Sequence, residues 1–374
     1  MRRKLSVLFC IFSVIQLCRS SFMDNPYHRY CRTNIHGDQD CFFAVAYWFN
    51  FVDFRQWLDK LPGPLGDVSL HVHCIPGAYI HLPFPYRARN LKKLKVKNCL
   101  IRNFMSEWKS PSIYPDSLEV QEMDKCELEI DFPTMQDVIS STLNKQTICG
   151  QETLVKLAMR NITYKPVVKD SNAQLESMFD LFDTFQEKMK SVNYLCNYNH
   201  LEYLERSGDD SRSKTYMEDL TDKSHYPRLK TIKMASDHIV NFPAQFKNWR
   251  EYFPALRSLD LFNNSLQNFS FEIPHKNNVN YVPLVVNMRR NEIQAVPSDI
   301  EKYLSWSPII LDVRENPIEC DCKAEKLGYY LRSVRRRFPL YKELTEFVCK
   351  SPSQVKDVKL IYINYEKCSQ DQQI

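Results

Sequence analysis

Pairs of apolar residues separated by one position recur along the chain, and in the clearest copies asparagine or aspartate follows three residues later. Each apolar pair predicts a short strand with one buried face, because successive side chains of a strand point to opposite sides. The asparagine or aspartate predicts a turn, since its short polar side chain can bond the neighbouring backbone. The four clearest turn positions, spaced by 27, 27 and 25 residues, are Asp237, Asn264, Asn291 and Asn316.

Weaker copies of the pattern occur upstream, with turn positions at Cys99, Cys126, Ile162 and Asp209. One such unit cannot bury its own apolar face, so repeated units stack into a solenoid. An ordinary globular α/β domain with chance spacings is the alternative, which the nearly constant interval of the later copies disfavours. The predicted fold class is therefore α/β, a curved solenoid with a parallel sheet on its concave side.

The repeats resemble the leucine-rich repeat superfamily in its extracellular form, over roughly residues 68–368. The stretch from Asn316-Pro317 to Cys320-x-Cys322 is similar to the cysteine-rich C-terminal cap of Toll-like ectodomains and Slit-like proteins. This resemblance implies disulfide-stapled caps and the pairs Cys320–Cys349 and Cys322–Cys368. A zinc site on these four cysteines is the alternative, but their spacing is not that of a zinc finger. The expected parts are a signal peptide (1–20), an N-terminal cap region (21–90), about eight repeats (91–316, irregular between 127 and 228) and the C-terminal cap (317–374).

The first twenty residues have the layout of a secretory signal peptide, with a basic start, an apolar run over 5–18 and expected cleavage near Ser20. Removing them, with four basic residues and no acidic one, lowers the formal net charge from +5 to +1. A near-neutral chain gives no general argument for nucleic acid or a membrane surface as partner. No later run predicts a membrane span, so we expect a secreted, extracellular protein.

Eleven of the thirteen cysteines follow the predicted signal peptide, and most should pair in the oxidising secretory route. Cys99 and Cys126 occupy inward-facing turn positions and are predicted to be unpaired buried thiols. Spacing alone does not assign partners to Cys31, Cys41, Cys74, Cys149 and Cys196. Three sequons predict N-linked glycans at Asn161, Asn263 and Asn268.

Catalytic motifs are absent from the sequence, which has no G-x-S-x-G, no H-E-x-x-H and no phosphate-binding loop. We therefore expect no enzymatic activity, no catalytic residue and no cofactor. One cluster has metal-ligand chemistry: His71, His73, Cys74 and His81. Solvated strand histidines are the preferred interpretation, because Cys74 is expected in a disulfide and no carboxylate is close in sequence.

The sequence also predicts helices and a loop outside the repeat strands. Apolar residues at helical spacing predict helices over 326–337 and 175–189 and a helix within the aromatic stretch 42–57. The polar, charged stretch 207–224 predicts an exposed loop.

Residues that flank each inward apolar pair should project from the concave sheet and form a partner-binding surface. We expect the partner to be an extracellular or cell-surface protein, in immune or developmental recognition. A structural matrix protein that binds a glycosaminoglycan or matrix proteins is the alternative, favoured by the basic run over 92–97. The candidate residues are Lys93, Lys95, Lys97, Lys156, Arg160, Tyr203, Lys233, Asp260, Phe262, Asn287, Arg289, Asp312 and Arg314.

Overall fold

A computed structural model describes residues 26–104, 106–107, 114–131, 151–167, 196–208, 221, 224–272, 283–295, 297, 309–334 and 347–365. Over these residues the chain winds into a solenoid with one long sheet. The helix predicted over 175–189, nearly all of the loop over 207–224, Cys149 and Cys368 lie outside the described residues.

The long sheet has eleven strands, and every neighbouring pair after the first is parallel, as the repeat pattern predicted. The first strand pairs antiparallel with the second and covers its outer edge. All eight stretches with the repeat pattern contribute a strand. In sheet order the strands are β1 (Cys31–Thr33), β2 (Gln39–Val45), β4 (Val68–Cys74), β6 (Leu91–Lys97), β8 (Val120–Asp124), β10 (Lys156–Arg160), β13 (Tyr203–Ser207), β15 (Thr231–Lys233), β16 (Ser258–Asp260), β17 (Leu284–Asn287) and β18 (Ile309–Asp312).

A second, five-stranded parallel sheet lies on the return path of the early turns. Each of these turns contributes one strand to each sheet, so the core is enclosed between two layers. A two-stranded ladder of β12 (Cys196–Asn197) and β14 (Ser224–His225) continues the return path. The second sheet contains β3 (Trp48–Asn50), β5 (Tyr79–His81), β7 (Leu100–Arg102), β9 (Glu127–Asp131) and β11 (Thr163–Val167).

Four α-helices are described: α1 (Phe51–Lys60), α2 (Ala244–Lys247), α3 (Trp249–Tyr252) and α4 (Glu325–Val334). Helix α4 corresponds to the predicted cap helix, although residues 335–337 lie outside the described part. The helix predicted within 42–57 was too long, because 42–45 and 48–50 are strands and only α1, from Phe51, is helical. Among the described helices, none has the length and hydrophobicity required to cross a lipid bilayer.

The core follows the period-two pattern of the strands. In β4, Val68, Leu70, Val72 and Cys74 point inward and are at most 2% exposed, whereas the residues between them face solvent or the sheet surface. Equivalent positions in later strands stack on these residues, which gives one continuous apolar column along the solenoid. This stacking supplies the burial that a single repeat lacks.

A left-handed residue turns the chain at the end of every repeat strand from β6 to β18. These corners have φ between 52° and 69°, and the N–H of each corner, except the last, donates to a carbonyl one turn later, at 2.7–3.3 Å. The bonds form a ladder that runs beside the sheet. We call this edge the corner ridge; its residues are Asn98, Lys125, Asn161, Gly208, Ser236, Asn263, Arg290 and Glu315.

The disulfide pairing corrects the prediction that Cys99 is an unpaired thiol. Cys99 is not free but is joined to Cys74 on the preceding turn, with a Cα–Cα distance of 5.0 Å. Cys126, one turn later at the equivalent position, is a free and buried cysteine. The first two strands are joined by Cys31–Cys41.

Candidate functional site: the concave sheet

Outward-facing side chains of the long sheet fall into three rows, because the strands pair in register. The first row, at the strand starts, contains Lys93, Val120, Lys156, Tyr203, Thr231, Ser258, Val285 and Ile310. The middle row contains His71, Lys95, Glu122, Ala158, Glu205, Lys233, Asp260, Asn287 and Asp312. The third row, beside the corner ridge, contains His73, Lys97, Asp124, Arg160 and Ser207 and continues through Phe262, Arg289 and Arg314.

The outward-facing lysines of β6, Lys93, Lys95 and Lys97, do not form an unbalanced basic patch. Register places Lys95 beside Glu122 and Lys97 beside Asp124, with nitrogen–oxygen distances of 3.5 and 3.7 Å. Lys93 is exposed and has no ion-pair partner among the described residues. Neighbouring carboxylates therefore offset the positive charges of two of these three lysines.

At the centre of the concave sheet, the small residue Ala158 lets the side chains of Lys156 and Arg160 extend toward opposite neighbouring strands. Ala158 occupies the middle row and is fully buried beneath its surroundings. Lys156 reaches Glu122 on one neighbouring strand, and Arg160 reaches Glu205 on the other, each at 2.5 Å. The Lys156 ammonium also lies 5.1 Å from the centre of the Tyr203 ring. These two ion pairs thus link three adjacent strands, β8, β10 and β13.

Glu205 is the most buried charge on this face, at 1% exposure. It accepts hydrogen bonds from Arg160 and from the Tyr203 hydroxyl, at 2.5 and 2.7 Å, and lies 3.2 Å from the Lys233 ammonium. Burial by itself raises the pKa of Glu205, but these donors outweigh it and the pKa falls to about 2. Burial and the bond to Glu205 together raise the pKa of Tyr203 to about 12. Glu205 is therefore held ionised at physiological pH.

Acidic and amide groups dominate the middle row nearer the C-terminal cap. Asp260 accepts from the Asn287 amide at 2.8 Å and from the Phe262 N–H at 3.1 Å, and burial raises its pKa. Asp312 holds the Arg314 guanidinium through two bonds, at 2.5 and 2.8 Å. These contacts fix the orientation of side chains that would otherwise move freely.

Phe262 forms the centre of an aromatic and cationic cluster. The Arg289 and Arg290 guanidinium carbons lie 5.9 and 5.3 Å from its ring centre, within the range of cation–π attraction. Both arginines also bond to Glu315. Aromatic and arginine side chains held in this way are frequent anchors of protein interfaces.

The histidine cluster does not assemble as a metal site. His71 and His73 face the concave side. The His71 Nε2 atom lies 3.6 Å from an Asp40 carboxylate oxygen. His73 is hydrogen-bonded to the Asn98 side chain at 2.9 Å. Cys74 is bonded to Cys99, and His81 belongs to the second sheet. Over the described residues no group of three metal-ligating side chains converges.

An aromatic cleft of about 650 Å³ at the N-terminal end was not predicted from the sequence. Tyr30, Trp48, Asp53 and Trp57 are among the residues that line it. Trp48 is 59% exposed. The aromatic density of 42–57 was a visible signal, but the apolar residues of this stretch also fit helical spacing, which does not predict the two strands that shape the cleft.

Three of the four predicted cap cysteines and all three sequon asparagines lie in the described part of the chain. Cys320 and Cys349 are joined by a disulfide of 2.04 Å, and Cys322 is disulfide-bonded as well. The three sequon asparagines, Asn161, Asn263 and Asn268, are all exposed.

Three buried asparagines complete the repeat geometry. The side-chain nitrogen of Asn264 donates to the carbonyls of Met234 and Leu261, at 2.8 and 3.0 Å, and its oxygen accepts two backbone N–H groups. Asn291 and Asn316 repeat this arrangement one and two turns later. The fold is a leucine-rich repeat solenoid. Each asparagine satisfies polar backbone groups that the turn buries, which is why this residue recurs at the position.

No protein-family model matches the chain, and no curated protein matches it significantly. The chain is similar to human 5T4 (Wnt-activated inhibitory factor 1, trophoblast glycoprotein), with 14% identity and a TM-score of 0.43 over 90% of this chain and 95% of that one. It is similar to the mouse RP105/MD-1 complex, with 12% identity and a TM-score of 0.42 over 86% of this chain and 49% of that one. The assignment as a leucine-rich repeat solenoid rests on the strands and asparagines of this chain.

Proposed function

We propose that this protein is a secreted, non-enzymatic leucine-rich repeat protein whose concave sheet binds another extracellular or cell-surface protein, in immune or developmental recognition. The observation that carries the proposal is the cross-strand network around Glu205. It holds a mixed set of charges in fixed positions beside the half-buried Tyr203. A surface arranged before binding loses less conformational entropy when a partner docks.

Disulfides support the extracellular part of the proposal. Three pairs, Cys31–Cys41, Cys74–Cys99 and Cys320–Cys349, are formed within the described residues. Such bonds persist mainly in oxidising compartments, and they are rare in cytosolic proteins. The predicted signal peptide points to the same route.

Glycosaminoglycan binding by a structural matrix protein is the second candidate. The run of Lys93, Lys95 and Lys97 favours it, because regularly spaced lysines attract sulfated chains. The pairing of Lys95 and Lys97 with carboxylates weakens it, since each pair reduces the charge available to an anion.

Partner capture tests the proposal directly. Proximity labelling with the secreted protein should recover a reproducible extracellular partner. Tyr203→Ala should weaken capture at least tenfold, whereas Tyr362→Ala, which removes an aromatic residue 69% exposed on the C-terminal cap, should not. Equal capture by both variants would place the interface elsewhere. Recovery of no reproducible partner would refute the proposal.

Heparin chromatography separates the two candidates. Changing Lys93, Lys95 and Lys97 to Gln should leave elution unaltered if the concave face binds protein. A control with the same charge change elsewhere is Lys125, Lys165 and Lys356 to Gln, all exposed. A large shift to lower salt for the first variant alone would support the glycosaminoglycan candidate.

A further inference from the structure

The corner ridge brings together two sequons that are far apart in sequence. We propose that N-linked glycans on Asn161 and Asn263 shield this edge of the concave sheet, so that a macromolecule must approach from the strand-start edge. The inference rests on the proposed extracellular function, because only the secretory route supplies the modification.

Both asparagines occupy the same structural position. Their φ angles are 52° and 56°, and each is anchored by its backbone N–H, Asn161 to Ser207 at 2.7 Å and Asn263 to Arg289 at 2.9 Å. Three steps along the ridge separate them, or about 14 Å at the ~4.8 Å spacing of neighbouring strands. Both side chains are exposed, so a glycan on either extends from the rim of the sheet.

The local contacts are compatible with modification. The Asn161 amide nitrogen lies 3.5 Å from an Asp124 oxygen, and the Asn263 amide nitrogen donates to the Ser236 hydroxyl at 2.9 Å. During transfer from a lipid-linked oligosaccharide pyrophosphate, the amide nitrogen loses one proton and bonds to the sugar C1. The C1–oxygen bond to the carrier breaks, and the lipid pyrophosphate leaves. One N–H remains on each nitrogen and can keep the contact with its neighbour.

Asn268 differs from the other two sequons. It lies four residues after the buried turn residue Asn264, as Asn103 lies four residues after Cys99. Asn103 directly follows β7 of the second sheet. By this equivalence a glycan on Asn268 projects from the return path, away from the concave sheet.

Shielding divides the candidate surface unequally. Arg160 and Phe262 directly precede the two glycan-bearing corners, so glycans there limit access to the third row. Lys93, Lys156 and Tyr203 lie in the first row, at the opposite end of the strands. The first row is therefore the open side of the sheet for a large partner.

Glycopeptide mass spectrometry of the protein secreted from mammalian cells tests occupancy. The variants Thr163→Ala, Ser265→Ala and Ser270→Ala each remove one sequon and retain its asparagine with its contacts. We expect the first two to lose one glycan each and still be secreted. An unmodified Asn161 or Asn263 in secreted protein would overturn the inference.

Bulky lysine labelling tests the shielding itself. Lys125 is the ridge neighbour of Asn161, and Lys93 lies in the first row; both are exposed and have no ion-pair partner among the described residues. With a polymer-linked amine-reactive ester, the Thr163→Ala variant should label at Lys125 at least threefold faster than wild type, with Lys93 unchanged. Equal rates at Lys125 in the two proteins, or a matching rise at Lys93, would overturn the inference.

The outcomes distinguish this inference from the proposed function. A chain that is not secreted and carries no glycan contradicts both. A secreted chain with a glycan only on Asn268 contradicts the shielding and leaves the partner-binding proposal intact.

Discussion

Replacement of Glu205 by Gln tests whether the central ion-pair network stabilises the solenoid. The side chain is 1% exposed, and its pKa is about 2 against an ordinary value of 4.5. At about 1.4 kcal/mol per pH unit, this difference corresponds to roughly 3 kcal/mol of folding free energy at neutral pH. The substitution keeps the shape of the side chain and removes its charge.

Two partners of Glu205 limit the loss. The Arg160 and Lys233 side chains are 32% and 36% exposed, so water can hydrate them once the carboxylate is gone. We therefore expect Glu205→Gln to lower the free energy of unfolding by about 2–3 kcal/mol. This is at or below the lower end of the 3–5 kcal/mol lost when a fully buried charge is left without its partner.

The pH dependence supplies an independent signature. Because the folded pKa is lowered, the stabilisation is fully present above about pH 4.5 and is lost as the pH falls toward 2. As the pH falls from about 4.5 to 2, the free energy of unfolding of the wild type should drop by roughly 3 kcal/mol more than that of Glu205→Gln. Urea unfolding of the oxidised protein, followed by circular dichroism from pH 7 to pH 2, measures both quantities.

Glu315→Gln is the matched control. Glu315 also accepts bonds from Arg289 and Arg290, which lower its pKa, but it is 37% exposed. Solvent screening limits an exposed pair to about 0–1 kcal/mol. If Glu205→Gln unfolds at the wild-type urea concentration at pH 7 and keeps the wild-type pH profile, the reasoning about the buried network is wrong.

Three further predictions concern the backbone, the turns and the free thiol. Gly208→Ala should lower the free energy of unfolding by about 1–2 kcal/mol, since φ is 69° and an added Cβ would collide with the Asn161 side-chain oxygen. Gly63→Ala, with φ of 79° and nothing within 4 Å, should cost less in the same urea assay. Asn291→Ala should lower stability by about 2–4 kcal/mol because several buried backbone groups lose their partner, and a thermal midpoint equal to wild type would contradict this. Cys126, with a pKa raised by burial to about 11, should resist iodoacetamide in the folded protein and react after unfolding; peptide mapping that finds rapid labelling of the native chain would refute its burial.

Much of the solenoid was predictable because the sequence patterns that specify its strands and turns each span only a few residues. The alternation Leu94-x-Val96 specifies a strand and its inward face within three residues. The buried asparagines act within their own turn and the turns next to it, so a fixed interval between them reveals the stacking. A sequence with this period therefore predicts both the parallel sheet and the need for caps.

The second sheet and the aromatic cleft were not predictable in the same way. The strand Trp48–Asn50 is short and adjoins a helix of aromatic residues, so its apolar positions fit either period. Packing against β5 one turn later decides that this segment is extended.

The sequence by itself determined the repeat length, the inward positions and the candidate residues of the concave face. Only the tertiary structure decided which of those residues neutralise one another, because register brings Lys95 to Glu122 and Arg160 to Glu205 across 27 and 45 positions of chain. The same physical reason explains the thiols: Cys74 and Cys99 meet because they end neighbouring turns. Cys126, one turn later, is left free because its neighbour is already bonded.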